Sequence, residues 1–224
     1  MLYLNVRRII SYSLMFICAL TFTVSTVVTA AEPASIVKKF NSSQNSVEKR
    51  ELLESLENFT LEAGEKAPQW VVDLLSDALR DRSPVVVAEA AFQVGQFNVV
   101  ELNTNLLSLY KESVTKFGAS GYERRVQYSI IPSLGKVGNN EAKVLISDLL
   151  RKDNGTAIGN YLLEAIRNSN DPVFLNDLKL YKHKMANYVD LARGRGDDPI
   201  LYSRKLAYLE FAAEIEKALT KGGK

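Results

Sequence analysis

The chain has 224 residues, 46% hydrophobic and 24% charged, with a formal net charge of +2. This balance excludes a disordered chain and suits one folded domain. It lacks the basic excess that phosphate binding requires, which excludes nucleic acid as the main ligand, and its lone cysteine excludes a disulfide framework or a cysteine metal site.

Residues 1–31 differ from the rest. Met1 to Ser13 carries Arg7 and Arg8 and no acid, Leu14 to Val28 is apolar apart from Ser and Thr, and Thr29-Ala30-Ala31 places small residues before Glu32-Pro33. Basic, apolar, small-residue is the order of a secretory signal peptide. The short apolar stretch enters the translocon while the arginines stay on the cytoplasmic side. Cleavage is expected near Ala30 or Ala31. The other reading is a retained anchor, but the apolar run is about 15 residues, and a spanning helix needs roughly 20. Ile17 before Cys18 is too large for a lipoprotein signal. Cleavage would leave 26 basic and 26 acidic residues and no cysteine. The mature chain is therefore expected to be periplasmic or secreted, without stable membrane insertion, and held by its core alone.

From Pro33 onward apolar residues recur at three- and four-residue spacing, the helix period, and no strict alternation marks a strand. The spacing predicts helices in pairs: 32–40 with 46–59, 68–80 with 84–97, 99–116 with 121–137, 140–151 with 156–168, and 172–192 with 199–220. Turns are expected at Gly64, 81–83, 118–121, 138–140, 153–155, 168–171 and 194–198, each holding Gly, Asn, Asp or Ser. Val85-Val86-Val87 is β-branched, but Ser83-Pro84 ahead of it is an N-cap and first-turn pair, so it reads as a helix start.

Laid over one another, the second helices repeat. Leu56-Glu57-Asn58-Phe59 matches Val94-Gly95-Gln96-Phe97, then Leu134-Gly135-Lys136-Val137 and, more weakly, Ala165-Ile166-Arg167-Asn168, at steps of 38, 40 and 31 residues. Stacked helix pairs produce such periods. One pair cannot bury both its apolar faces, so neighbours must stack. The closings Ala90-Ala91-Phe92-Gln93-Val94-Gly95 and Leu134-Gly135-Lys136-Val137-Gly138-Asn139, with Ala142–Asp153 following as a first helix, resemble HEAT repeats. The likeness is to the short, armadillo-like variety of the bilin-lyase-type HEAT proteins, and it is best over 68–168.

The resemblance implies an all-α fold, a right-handed α–α superhelix (a HEAT-like solenoid) of about five helix pairs over residues 32–224. The family's Asp–Arg ladder between repeats is expected to be absent. At the Arg position stand Lys49, Val87, Gln127 and Ile158, so cohesion is expected to rest on packing. Pro132 lies inside a second helix and is expected to bend it.

No catalytic, cofactor-binding or metal-ligating residue is predicted. The single histidine, His183, falls off the core stripe of Leu175, Leu178, Tyr181, Met185, Tyr188 and Ala192. It reads as a surface residue, since a triad or a zinc site needs more partners. In a HEAT-like solenoid the second helices line the concave face. Its solvent positions would include Glu51, Glu54, Glu89, Gln93, Arg124, Gln127, Asn160 and Glu164. A mixed polar groove suits a protein segment better than a phosphate chain. Arg124 and Arg125, beside Tyr122, are candidates for a partner's carboxylate. Their plainer reading is inter-repeat ion pairing, worth about 0–1 kcal/mol when exposed.

Lys179, Lys182, Lys184, Arg193 and Arg195 form the densest basic region, beside Tyr181, Tyr188 and Tyr202. It is either an envelope-contact patch or a solvated helix face. Arg195-Gly196-Asp197 matches an adhesion tripeptide, against the plainer reading that Asp197 or Asp198 caps the last helix. Asn41, Asn58 and Asn154 head glycosylation sequons that matter only in a eukaryotic secretory pathway, and Trp70 reads as core. The expectation is an exported, non-catalytic scaffold for a protein or peptide. The resemblance supplies the alternative, an enzyme or enzyme accessory that handles a tetrapyrrole with carboxylates and tyrosines.

Overall fold

Helical spacing from Pro33 onward is matched by helix at nearly every position that the computed structural model describes. Those positions are 33–59, 61, 64–116, 121–195 and 199–222, with backbone alone at 114–116, 121–123 and 193–195. The leader expected at 1–31 lies outside them. The first five helices are α1 (Pro33–Ser42), α2 (Ser46–Glu54), α3 (Gln69–Ala78), α4 (Pro84–Gln96) and α5 (Asn103–Lys116). The other five are α6 (Gly121–Val137), α7 (Asn140–Lys152), α8 (Ile158–Ser169), α9 (Leu175–Arg195) and α10 (Pro199–Gly222). No strand occurs among the described residues, and the protein is all-helical.

The helix ends follow their capping residues. Asn45 accepts from the Val47 amide at 2.9 Å and Asn139 from that of Ala142 at 3.1 Å, each satisfying an amide that a helix start leaves unpaired. Asp171 does the same for Val173 at 2.9 Å. Ser83 departs from expectation. Pro84 takes the first helical position, but the Ser83 side chain makes no cap; instead its amide donates to Asp81 Oδ1 at 2.8 Å. Three expected helices change pitch at one end. The segment 46–59 tightens into a 3-10 turn over Ser55–Asn58, 99–116 begins with one over Val100–Leu102, and 172–192 begins with one over Pro172–Phe174. Asn98 and Asn170 adopt φ of 50° and 48° at turns, which asparagine tolerates better than other side chains.

Each first helix packs on its own second helix, and the second helices touch in order: α2 on α4, α4 on α6, α6 on α8, α8 on α10. Among the first helices α1 meets α3, and α7 meets α9. The glycines of the repeated closings explain the close approach. A Cβ on Gly95 would sit 2.5 Å from Ser133 Oγ. One on Gly135 would sit 2.6 Å from Ala165 Cα and closer still to its carbonyl oxygen. Each glycine faces a small residue of the next second helix. One continuous apolar core results, from Ile36 through Leu56, Val94, Leu134 and Ile166 to Leu219.

Cohesion does not rest on packing alone, which corrects the expectation from the missing ladder. Lys49 stands where the HEAT pattern carries arginine, and its ammonium lies 2.7 Å from Asp81 in the turn before α4. Its long stem lets a lysine do this at a distance. Further pairs join successive hairpins: Lys111–Glu141 at 2.8 Å, Lys143–Asp171 at 2.6 Å and Arg151–Asp177 at 2.8 Å. Helix α6 continues through Pro132, with Ser133 Oγ donating to the Ser129 carbonyl at 3.1 Å.

A polar knot sits under the last two pairs. Buried Asp153 accepts from the Gly155 amide at 3.1 Å, the Thr156 amide at 3.0 Å, the Thr156 hydroxyl at 2.5 Å and the Tyr181 hydroxyl at 2.8 Å. Lys184 donates to the carbonyls of Arg151 and Asp153 at 2.6 and 2.9 Å, closing the end of α7. Burial, with the Asp153 charge beside it, pushes the Tyr181 hydroxyl far above the ordinary tyrosine range. No helix among the described residues is long and apolar enough to cross a membrane.

Candidate functional site

Helical spacing assembles one groove from the second helices. Glu89, Phe92, Gln93 and Gln96 recur at three- and four-residue steps on α4; Arg125, Tyr128, Ser129 and Pro132 do so on α6; Asn160, Tyr161, Glu164 and Arg167 do so on α8. These side chains line three hollows of about 400, 390 and 290 Å³. Phe92 and Gln96 border the first two hollows, and Tyr128, Ser129 and Tyr161 border the second and third. Neighbouring hollows therefore share walls from the end of α2 to α8.

Aromatic rings are its apolar surface. Phe92 is 39% exposed. Tyr128 and Tyr161 stack across α6 and α8 with centroids 4.4 Å apart and planes 7° from parallel. Two polar ties cross between the second helices, and a third runs along α8. Asn168 Nδ2 donates to the Pro132 carbonyl at 3.3 Å, Lys136 to Gln96 Oε1 at 3.5 Å, and Arg167 to Glu164 at 2.6 Å. Donors and acceptors of both kinds thus lie between the rings.

The end near α2 is acidic. Burial raises the Glu89 pKa above the usual carboxylate range; the Gln93 amide opposes the rise, Glu54 and Glu57 add to it, and Arg50 lowers it. Gln93 Nε2 donates to Glu89 at 2.8 Å. Arg50 Nε lies 3.0 Å from Glu54, but its N–H is out of line and makes no hydrogen bond. The expectation that Gln93 faces solvent is corrected: it is fully buried. It shares a face with Glu89, but lies one step deeper where α4 meets its neighbours. Its Oε1 has no hydrogen-bond partner among the described residues.

Of the other sequence-predicted groove residues, Glu89 and Arg125 line the third hollow and Asn160 and Glu164 the second. Arg124 is exposed and Gln127 partly buried, and neither lines any of these three hollows; the Tyr122 side chain lies outside the described residues. Sequence reasoning missed Phe92, Gln96, Tyr128 and Tyr161. Tyr128 and Tyr161 each follow a predicted residue by one position, and Phe92 precedes one, so helical phase alone hid them.

The basic region does not form one open patch among the described side chains. Lys179 is exposed, whereas Lys182 pairs with Glu216 at 2.5 Å and Lys184 holds the two carbonyls of the α7 end. The side chains of Arg193 and Arg195, and residues 196–198 of the adhesion tripeptide, lie outside the described residues. His183 is exposed, and Trp70 packs against the core with its ring edge-on to Phe59 at 5.3 Å. No group of three His, Cys, Asp or Glu among the described residues is placed to hold a metal ion. The chain matches no family model, no curated protein and no solved structure.

Proposed function

We propose that the chain is a non-catalytic scaffold of HEAT-like kind, a right-handed stack of helix pairs that holds a protein or peptide segment across its second helices. The order of helix contacts, each pair against the next, supports the solenoid reading. The groove carries the functional one. Phe92, Tyr128 and Tyr161 offer rigid aromatic area, and the amides and charges between them suit a polypeptide backbone and mixed side chains. The leader adds that the scaffold works in the periplasm or outside the cell. Envelope contact through the basic region is less favoured, because Lys182 and Lys184 are already bonded.

A photo-crosslinking residue placed at 92, 96 or 160 tests the groove directly. Adducts with a polypeptide are expected there and not from position 144 on the outer helix α7. Adducts confined to position 144 would sink the reading. For export, the protein recovered outside the cytoplasm should begin at Ala31 or Glu32; an intact Met1 in that fraction contradicts cleavage. Glu164 beside the paired tyrosines keeps the tetrapyrrole alternative in view. It predicts visible absorbance on mixing with a tetrapyrrole, and unchanged spectra remove it.

A further inference from the structure

The hollow nearest α2 differs in chemistry from the rest of the groove. Phe59, Leu61, Phe92 and Phe97 wall it, and its polar lining is Glu57, Gln93 and Gln96. Glu57 is exposed and Gln93 fully buried, so a carboxylate stands at the rim and an amide at the base. Among the described residues no cationic side chain lines it. Arg50 is occupied with Glu54, and Lys136 reaches only Gln96, from the α6 side.

We propose that this hollow seats one basic side chain, arginine or lysine, of a partner polypeptide. Its stem lies against the phenylalanines, and its charged head lies between Glu57 and the Gln93 amide. The inference rests on the reading of the groove as a polypeptide-binding surface.

Three independent features select a cation with an apolar stem. Charge is the first. Glu54 and Glu57 both act on Glu89, with Arg50 alone opposing them, so carboxylates outnumber cations here and an anionic side chain is disfavoured. Aromatic surface is the second, because a cation is drawn to a ring face. The chain uses the same contact within itself, with Lys49 over Phe40 at 5.0 Å and Arg167 over Phe211 at 5.4 Å. The buried Gln93 Oε1 is the third: an acceptor without a partner favours a ligand bearing several N–H donors. An apolar side chain would fit the walls but would strip water from Glu57 without replacing its bonds. The volume of about 400 Å³ is ample for a long basic side chain.

Random peptides displayed on phage and selected on the purified protein test this. Arginine or lysine should be enriched at one fixed position. The synthetic peptide should lose about tenfold or more in affinity when that residue becomes norleucine, and also when the protein carries Glu57→Gln. The norleucine peptide should bind wild type and Glu57→Gln alike. Glu57→Lys should select against a basic residue at that position. Glu57 is exposed, so both variants should melt as wild type does. Peptides that need Phe92 and Tyr161 but show no basic position, or that bind Glu57→Gln equally, overturn the inference and leave the groove reading standing. If no peptide is weakened by Phe92→Ala or Tyr161→Ala, both fall.

Discussion

The middle of the molecule and its C-terminal part join neighbouring helices by opposite means. Between α4, α6 and α8 the joint is made by missing side chains. Gly95 faces Ser133 and Gly135 faces Ala165, and the backbones close up. Under α9 the joint is a buried carboxylate, Asp153, whose oxygens take four hydrogen bonds. The first joint tolerates no added volume, and the second tolerates no lost acceptor. The fastening between successive helix pairs thus varies along the chain while the order of helix contacts stays the same.

Variants sharpen this contrast. Gly135→Val should have the largest effect, at least about 4 kcal/mol, because the new side chain meets Ala165 backbone that cannot rotate away. Urea unfolding measures it, and a loss below about 1 kcal/mol would break the account of the joint. Asp153→Ala should cost about 3 kcal/mol, since it leaves the Tyr181 hydroxyl and two amides without their acceptor. If it matches an exposed substitution, the knot is incidental. Gly95→Ala should cost less, about 1–2 kcal/mol, because its nearest clash is with the Ser133 hydroxyl and the Ser133 Cα lies farther off, at 3.0 Å, than the Ala165 backbone does from Gly135. A cost equal to that of Gly135→Ala would erase the distinction between backbone and side-chain contact.

The knot also fixes a pH dependence. Burial first, then Asp153, raises the Tyr181 pKa, and burial likewise raises those of Tyr208 and Tyr110. The folded values lie above the unfolded one. Their contribution is therefore complete below about pH 10, the free tyrosine value, and is lost as pH rises above it. Tyr181→Phe should cost about 1 kcal/mol at pH 7 and flatten the decline above about pH 10. Unfolding midpoints across that range check it, and parallel curves would refute it. The smallest effect is expected from Lys49→Met, about 0.5–1 kcal/mol, since the pair with Asp81 is partly solvated. A double-mutant cycle with Asp81→Ala reads that pair directly.

Much of the fold was legible because helix needs only local signals. Apolar spacing and capping residues such as Asn139 and Asp171 set the boundaries within a few positions. Gly95 and Gly135 stood out as repeated letters, and their contacts explain the repetition. What stayed hidden depends on residues far apart in the chain. Asp153-Asn154-Gly155 reads as a turn, and nothing local ties it to Tyr181 or Lys184. The Lys49–Asp81 pair was hidden because the family pattern asks for arginine there. In the groove, the second helices were placed correctly, but a one-residue error in phase put Gln93 in solvent and passed over Phe92, Tyr128 and Tyr161. Helical phase is settled by how closely neighbours approach, and that approach depends on small residues in a different helix.

Every described helix packs chiefly on the next or the next-but-one helix in the chain. Loops that close such contacts are short, and the ordering entropy for each step is small. A strand of nascent polypeptide emerging from a narrow exit can therefore secure its leading hairpins while its tail is still threaded. Under pulling or heat, the same arrangement should fray inward from the termini, with amide exchange slowest around α6.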